Sequence, residues 1–195
     1  MMPDQPIKLI VGLGNPGPQH KRNRHNAGVI FLHHLCKVYG NSLRVDAKFF
    51  GEFSSIVIEG ADIKLLFPTT FMNNSGKSVA AVCKFFKLAP KNLLVAYDEI
   101  DFDVGVTRFK EGGGHGGHNG VRNIIDAFAG KNDFFRLRIG VGHPGHKSMV
   151  ASYVLNDPPR TEEDAIMSNI ENAIRILPTA ISGNWEEAMR VLHSN

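Results

Sequence analysis

The order of elements in this sequence predicts an α/β fold, and three observations carry the prediction. Short apolar runs at 7–11, 93–97 and 134–139 read as strands, and the segments between them place apolar residues at helical spacing. A glycine-rich turn, GLGNPG, follows the first run directly, as strand-to-helix connections do. The chain has 195 residues, enough to bury a substantial core, so residues 1–195 are expected to form one domain.

The first strand is the run Ile7, Leu9, Ile10, Val11. In the turn after it, Gly12, Gly14 and Gly17 allow a sharp bend, while Pro16 biases Asn15 away from helical angles. A helix is expected from about Arg24, continuing through Val29, Leu32, Leu35 and Cys36 to a stop at Gly40 and Asn41. Ser54 to Glu59 and Ile63 to Phe67 read as a hairpin across Gly60, Ala61 and Asp62, ended by Pro68. A helix from Ser75 puts Val79, Val82, Cys83 and Phe86 on one face and stops before Pro90.

Leu93 to Tyr97 reads as a central strand that delivers Asp98 at its carboxyl end, on the same rim as Asn15. Val104 to Lys110 and Phe134 to Ile139 read as strands; alternation puts Arg108 with Lys110, and Arg136 with Arg138, opposite Phe109, Phe135 and Leu137. Between them a helix with Val121, Ile124, Ile125 and Phe128 is expected to start at Asn119, a good capping type. Two helices close the chain, with Thr161/Asp164 and Asn184/Glu187 as capping pairs and Pro178 as the break between them.

The net charge of +3 hides an asymmetry. Residues 1–155 carry 19 Lys/Arg against 12 Asp/Glu, and residues 156–195 carry 3 against 7. A basic body suits a polyanionic partner, although basic surfaces alone are weak evidence for one. Cys36 and Cys83 form neither a zinc pattern nor a disulfide framework, which suits a reducing cytoplasm. The start MMPDQP leads into an apolar run too short for a signal peptide, and no later stretch is long enough to span a bilayer, so a soluble protein without a membrane partner is expected.

Several chemistries compete for the polar motifs. GLGNPG matches the dinucleotide fingerprint GxGxxG, but no Asp or Glu lies between Gly17 and Asp46 to hold a ribose; a variant using Lys37 or Arg44 for a 2′-phosphate stays open. His25 reads equally as a packed histidine or as an imidazole brought to the strand-end rim beside Asn15. Asp98, Glu99, Asp101 and Asp103 lack the glycine and terminal glutamate of a calcium loop, so no metal is expected there. His115 and His118 lie among five glycines with no helix to align them as ligands. His118 is a candidate substrate contact, and the glycine run reads as a gate or as a plain flexible loop.

One resemblance covers most of the chain. GLGNPG followed by RHNAG, FMNNSG (Phe71 to Gly76), DEIDFDVG (Asp98 to Gly105), GGGHGGHNG (Gly112 to Gly120) and RLRIGVGHPG (Arg136 to Gly145) resemble, in order and approximate spacing, the motifs of bacterial peptidyl-tRNA hydrolases. That family frees tRNA from prematurely released peptidyl-tRNA by cutting the peptide ester. The resemblance implies a twisted mixed sheet between helices, a monomer, and ester hydrolysis without metal or cofactor. It implies His25 as general base and Asp98 as the carboxylate that orients it. It also implies Asn15 and Asn119 as substrate-positioning amides, and Asn73 as a contact to water or oxyanion. Phe71 and Met72 themselves read either as core residues, their default, or as the floor of a peptide pocket. Arg108, Lys110 and Arg138 would hold acceptor-stem phosphates, with Arg136 a less certain neighbour. The chain departs from the pattern where His20 and Asn23 replace the usual tyrosine and threonine. His20 is therefore expected to bring a second imidazole beside the substrate and an added pH dependence.

Overall fold

The computed structural model describes residues 6–194. Its strands are β1 (Leu9–Gly12), β2 (Arg44–Asp46), β3 (Gly51–Ile58), β4 (Ala61–Pro68), β5 (Leu93–Glu99), β6 (Thr107–Glu111) and β7 (Phe135–Gly140). Its helices are α1 (Ala27–Val38), α2 (Ser75–Phe86), α3 (Asn119–Ala127), α4 (Val150–Val154), α5 (Arg160–Ile181) and α6 (Trp185–His193). The strands form one mixed sheet in the order β2-β3-β4-β1-β5-β7-β6. β4, β1, β5 and β7 run parallel, while β2, β3 and β6 pair antiparallel at the two edges.

Alternation divides the sheet's side chains between two apolar layers. Ile10, Leu65, Leu94, Ala96 and Leu137 pack with α1, α5 and α6. Leu9, Val11, Leu66, Leu93 and Val95 pack with α2 and α3. β1 and β5 are covered on both faces, which is why they read as continuous apolar runs rather than alternating ones. No helix among the described residues is long and apolar enough to cross a membrane.

One close approach positions everything that follows. A Cβ on Gly28 would lie 2.1 Å from the carbonyl oxygen of Ala96, and one on Gly12 would lie 2.5 Å from that of Gly28. These two glycines seat the start of α1 directly on β1 and β5. The residues just before α1 are thereby held against the carboxyl end of β5.

Several boundaries differ from the sequence expectation. The hairpin turn is Glu59–Gly60, both with positive φ (50° and 77°), so Ala61 and Asp62 are paired strand residues. Pro178 does not separate the last two helices. It lies inside α5, which runs on to Ile181, and the chain turns instead at Gly183 (φ 91°). Neither Thr161 nor Asn184 makes a side-chain cap, and the cap of α3 is His118 rather than Asn119. The strand expected from Val104 begins at Thr107. β2 and α4, at three and five residues, are too short to leave a periodic signal.

Candidate active site

The parallel pairing of β1 and β5 sets Gly12 beside Ala96, so the turn after β1 and the end of β5 share one rim. Asn15 pins that turn in place. Its backbone N–H donates to Asn26 Oδ1 (2.9 Å), Asn26 Nδ2 donates back to its carbonyl (2.9 Å), and Asn15 Oδ1 accepts from Met72 N–H (2.8 Å). With its oxygen committed, Asn15 has only its amide donors to offer a ligand.

A short 3₁₀ turn at Arg24–Asn26 precedes α1 and places His25 over Asp98. His25 Nδ1 lies 2.9 and 3.0 Å from the two Asp98 carboxylate oxygens, and His118 Nε2 lies 2.8 Å from Asp98 Oδ1. Asp98 is buried, with 4% exposure. An ionised carboxylate only accepts hydrogen bonds, so each imidazole donates to it. His25 is thereby held as the tautomer with hydrogen on Nδ1, leaving Nε2 with a free lone pair. His118 is fixed from both sides, because its Nδ1 accepts from Val121 N–H (3.3 Å) as the cap of α3.

The electrostatics follow from this shared acceptor. Burial works to raise the Asp98 carboxyl, but the His25 and His118 charges and hydrogen bonds outweigh it and hold the group well below the usual carboxylate range. Burial disfavours the His25 imidazolium, and the Asp98 charge and hydrogen bond more than offset that, leaving His25 above the ordinary 6.5.

Beside this cluster lies a cavity of about 780 Å³. Asn15, His25, Phe71, Asn73, Asp98 and Asn119 all line it, so the structure brings these six sequence-selected residues together. The apolar part of the wall comes from Met72, Ile100, Val150, Val154 and Leu155. Phe71 is 66% exposed, and the Asn73 side chain has no protein partner among the described residues. Such a cavity can hold an apolar acyl group with amide donors and an unprotonated imidazole nitrogen at its polar end.

A family model described as peptidyl-tRNA hydrolase matches residues 9–195. The chain belongs to the peptidyl-tRNA hydrolase family. Curated peptidyl-tRNA hydrolases of Pseudomonas aeruginosa and Azotobacter vinelandii are 50% and 48% identical to it over 188 residues, which is 96% of this chain and 97% of each relative. A crystal structure of peptidyl-tRNA hydrolase from Acinetobacter baumannii superposes with a TM-score of 0.93 at 44% identity, covering 97% of this chain and 95% of that one. A crystal structure of a peptidyl-tRNA hydrolase complex with N-propanol matches equally well.

The remaining sequence-selected residues lie elsewhere. His20 is not in the cavity lining. The 3₁₀ turn Pro18–His20 carries it to a chain of side chains in which His20 Nδ1 meets Asn23 Oδ1 (2.8 Å) and Asn23 Nδ2 donates to Asp157 (2.8 Å). Arg108 and Arg138 are register partners on β6 and β7, with their guanidinium carbons 6.0 and 4.4 Å from the Phe102 ring. Arg138 Nε also donates to Glu99 (3.0 Å), and Lys110 is exposed. Arg136 is a correction: it is 1% exposed, stacks on Phe134 and donates to the carbonyls of Gly113 and Gly114, so it supports the glycine loop from beneath.

The acidic C-terminal segment docks on the basic body, with Arg22 bonded to Glu163 and Arg24 to Glu162. His25, Asp98 and His118 also form the one grouping of metal-ligand types among the described residues whose ligand atoms lie within 4.8 Å of one another. Sequence reasoning missed His118 as the second partner of Asp98 and missed α4 as a cavity wall. The HxxH spacing gives no sign of this bond, which depends on how the start of α3 meets the end of β5 in the fold.

Proposed function

We propose that this chain hydrolyses the ester between a peptide, or an N-blocked aminoacyl group, and the tRNA ribose, with His25 as general base. The observation that carries this reading is the His25–Asp98 contact at 2.9 Å beside an apolar cavity lined by amides. With Nδ1–H donated to Asp98, His25 Nε2 takes a proton from water as the water attacks the acyl carbon. The Asp98 carboxylate stabilises the imidazolium that forms, as the aspartate of a Ser-His-Asp triad does. The carbonyl π electrons move onto oxygen, and the Asn73 amide is placed to donate to that oxyanion or to the attacking water. Collapse of the tetrahedral intermediate breaks the bond to the ribose oxygen, which takes the proton that His25 holds.

Asn15 and Asn119 position the acyl group, and Phe71 forms part of the floor under the peptide. Arg108, Lys110 and Arg138 contact phosphates of the acceptor stem, which orients any tRNA without reading its sequence. Glu99 holds Arg138 at the height of the rim. The reaction needs an activated water, an oxyanion partner and a proton for the leaving alkoxide, all within reach of these side chains. We assign no cofactor or metal, a monomeric state and a cytoplasmic location.

The test is release of free tRNA from N-acetyl-aminoacyl-tRNA in the presence of a chelator, comparing the parent with folded His25→Ala. Loss of a general base is expected to cost about 10²–10⁴-fold. Cleavage that survives in the variant removes His25 from the centre of the chemistry. Binding without cleavage by the parent replaces the enzyme with an RNA-binding module.

A further inference from the structure

Arg24, the residue before the proposed base, is a buried cation with 8% exposure. Its backbone N–H donates to Asn156 O (3.2 Å), and its Nη1 donates to Tyr153 O (3.1 Å) and to Asn156 O (3.4 Å). Nη2 donates to Glu162 Oε2 (3.2 Å), and the guanidinium carbon lies 3.9 Å from the centre of the Tyr153 ring. Tyr153 is anchored in turn, its hydroxyl donating to Val141 O (2.7 Å). One side chain therefore grips the C-terminal end of α4, the connection to α5 and the first turn of α5.

α4 needs such a grip. A helix of five residues has almost no stability of its own, and its last carbonyls have no partners within the helix. Yet its residues Val150, Ala151 and Val154, with Leu155 after them, form one wall of the cavity beside His25. Arg24 donates to one of those carbonyls, Tyr153 O, and to Asn156 O just beyond the helix, and it does so from the same 3₁₀ turn that carries His25.

We propose that Arg24 is a positioning residue that locks the α4 wall to the His25 turn, so that an acyl group resting on the wall meets the base at a fixed distance. The inference rests on the reading in which the cavity takes the acyl group and His25 is the base. A guanidinium is suited to the task because its planar fork reaches two carbonyls and a carboxylate while stacking on an aromatic ring; an ammonium has no such fork. Once buried, it also penalises any departure of α4, which would strand a charge without partners. The neighbouring Arg22, exposed and paired with Glu163 and more distantly with Asp157, makes no hydrogen bond or ion pair to α4 among the described residues and serves as the control.

The test compares Arg24→Lys, Tyr153→Leu, their double variant and Arg22→Gln. Arg24→Lys keeps the charge, so changes in it report geometry. A small misplacement of the base is expected to lower kcat for N-acetyl-aminoacyl-tRNA by roughly 10–100-fold, with KM changed about threefold or less. The acid limb of kcat/KM is expected to move toward the ordinary histidine range as the His25–Asp98 contact loosens, with His118 the other titratable ring facing His25 at 4.9 Å between centroids. Tyr153→Leu should act in the same direction, and the double variant should lose much less than the product of the two single losses. Arg22→Gln should match the parent.

An NMR titration of the His25 ring in the same proteins, without substrate, reads the positioning whether or not the ester is the substrate. Failure of that titration to move sinks the lock alone, whereas a parent inactive on the ester sinks the functional reading. Folded Arg24→Lys with parent-like kcat and acid limb overturns the proposal. So does a loss of activity that only follows the folded fraction while the His25 titration stays put. Should Arg24→Lys not fold, the titration and acid limb of Tyr153→Leu decide by the same criteria.

Discussion

The two sides of the cavity are built differently. On one side His25, Asp98, His118 and Asn15 are buried or half-buried, and each is hydrogen-bonded to a residue distant in the sequence. On the other, Phe71, Asn73 and Asn119 are exposed, and the only side-chain hydrogen bond among them joins Asn119 to Arg122 (3.2 Å), among the described residues. The first side is preorganised and its geometry is set before any substrate arrives. The second keeps its donors and apolar surface free. The difference teaches which kinetic constant each side should control: kcat and the pH profile for the first, and KM for the second except at Asn73, whose proposed contact with the oxyanion or water forms only during the reaction.

Asp98→Asn should produce the largest effect. A carboxamide carries no charge and presents an NH₂ donor in place of one acceptor oxygen, so the His25 tautomer is no longer enforced; single-turnover hydrolysis is expected to fall by about 10³–10⁴-fold. Gly28→Ala comes next and attacks the same side through the backbone. The new methyl group meets the Ala96 carbonyl at 2.1 Å, and lifting α1 off β5 should cost about 3 kcal/mol in chemical denaturation and separate His25 from Asp98. On the open side, Asn73→Ala should leave the denaturation midpoint alone and cost about 10²-fold in kcat/KM, carried mainly by kcat, because its proposed bond to the oxyanion or the attacking water forms only as the reaction proceeds. If it raises KM and leaves kcat unchanged, Asn73 holds the bound substrate rather than the oxyanion or the water. The smallest effect is expected for Lys110→Gln, which should weaken tRNA binding modestly and reduce the slope of log affinity against log salt by about one.

The layers and the rim were legible in the sequence because they obey period and punctuation. The apolar runs of β1 and β5, the Ser75 helix and the strand-end placement of Asp98 all follow from local pattern. Asn15, Phe71, Asn73 and Asn119 were reachable through motif resemblance, and the cavity gathers them. What escaped depends on contacts across long sequence separations. His118 was visible as an HxxH histidine, but its bond to Asp98 spans 20 residues, and its place as the cap of α3 was expected of Asn119. Arg24 read only as the approximate start of a helix, and only the fold shows it buried on Tyr153, 129 residues away. Arg136 and Arg138 share a face by alternation, yet the glycine loop covers one and leaves the other at the rim; pattern cannot tell a strand position that faces solvent from one under a loop. His20 is displaced for a similar reason, since Asn23 and Asp157 draw it toward the α4–α5 connection.

The two titrating partners also link the site to stability. His25 binds its proton more tightly folded than unfolded, so its contribution is fully present below about pH 6.5 and fades as pH rises through the folded value. Asp98 is depressed, so its contribution is present above about pH 3.9 and is lost as pH falls through its folded value. Both are strongest together in weak acid, where the proposed base is protonated and hydrolysis is expected to be slow.

The most direct measurement is the NMR titration of the His25 ring set beside the acid limb of kcat/KM, in the parent and in Asp98→Asn. The account predicts that ring and limb coincide above 6.5 in the parent, and that the ring titrates at lower pH once the carboxylate is gone. A parent ring that titrates at or below 6.5, or an acid limb that does not follow it, would contradict the claim that Asp98 holds His25 as the base.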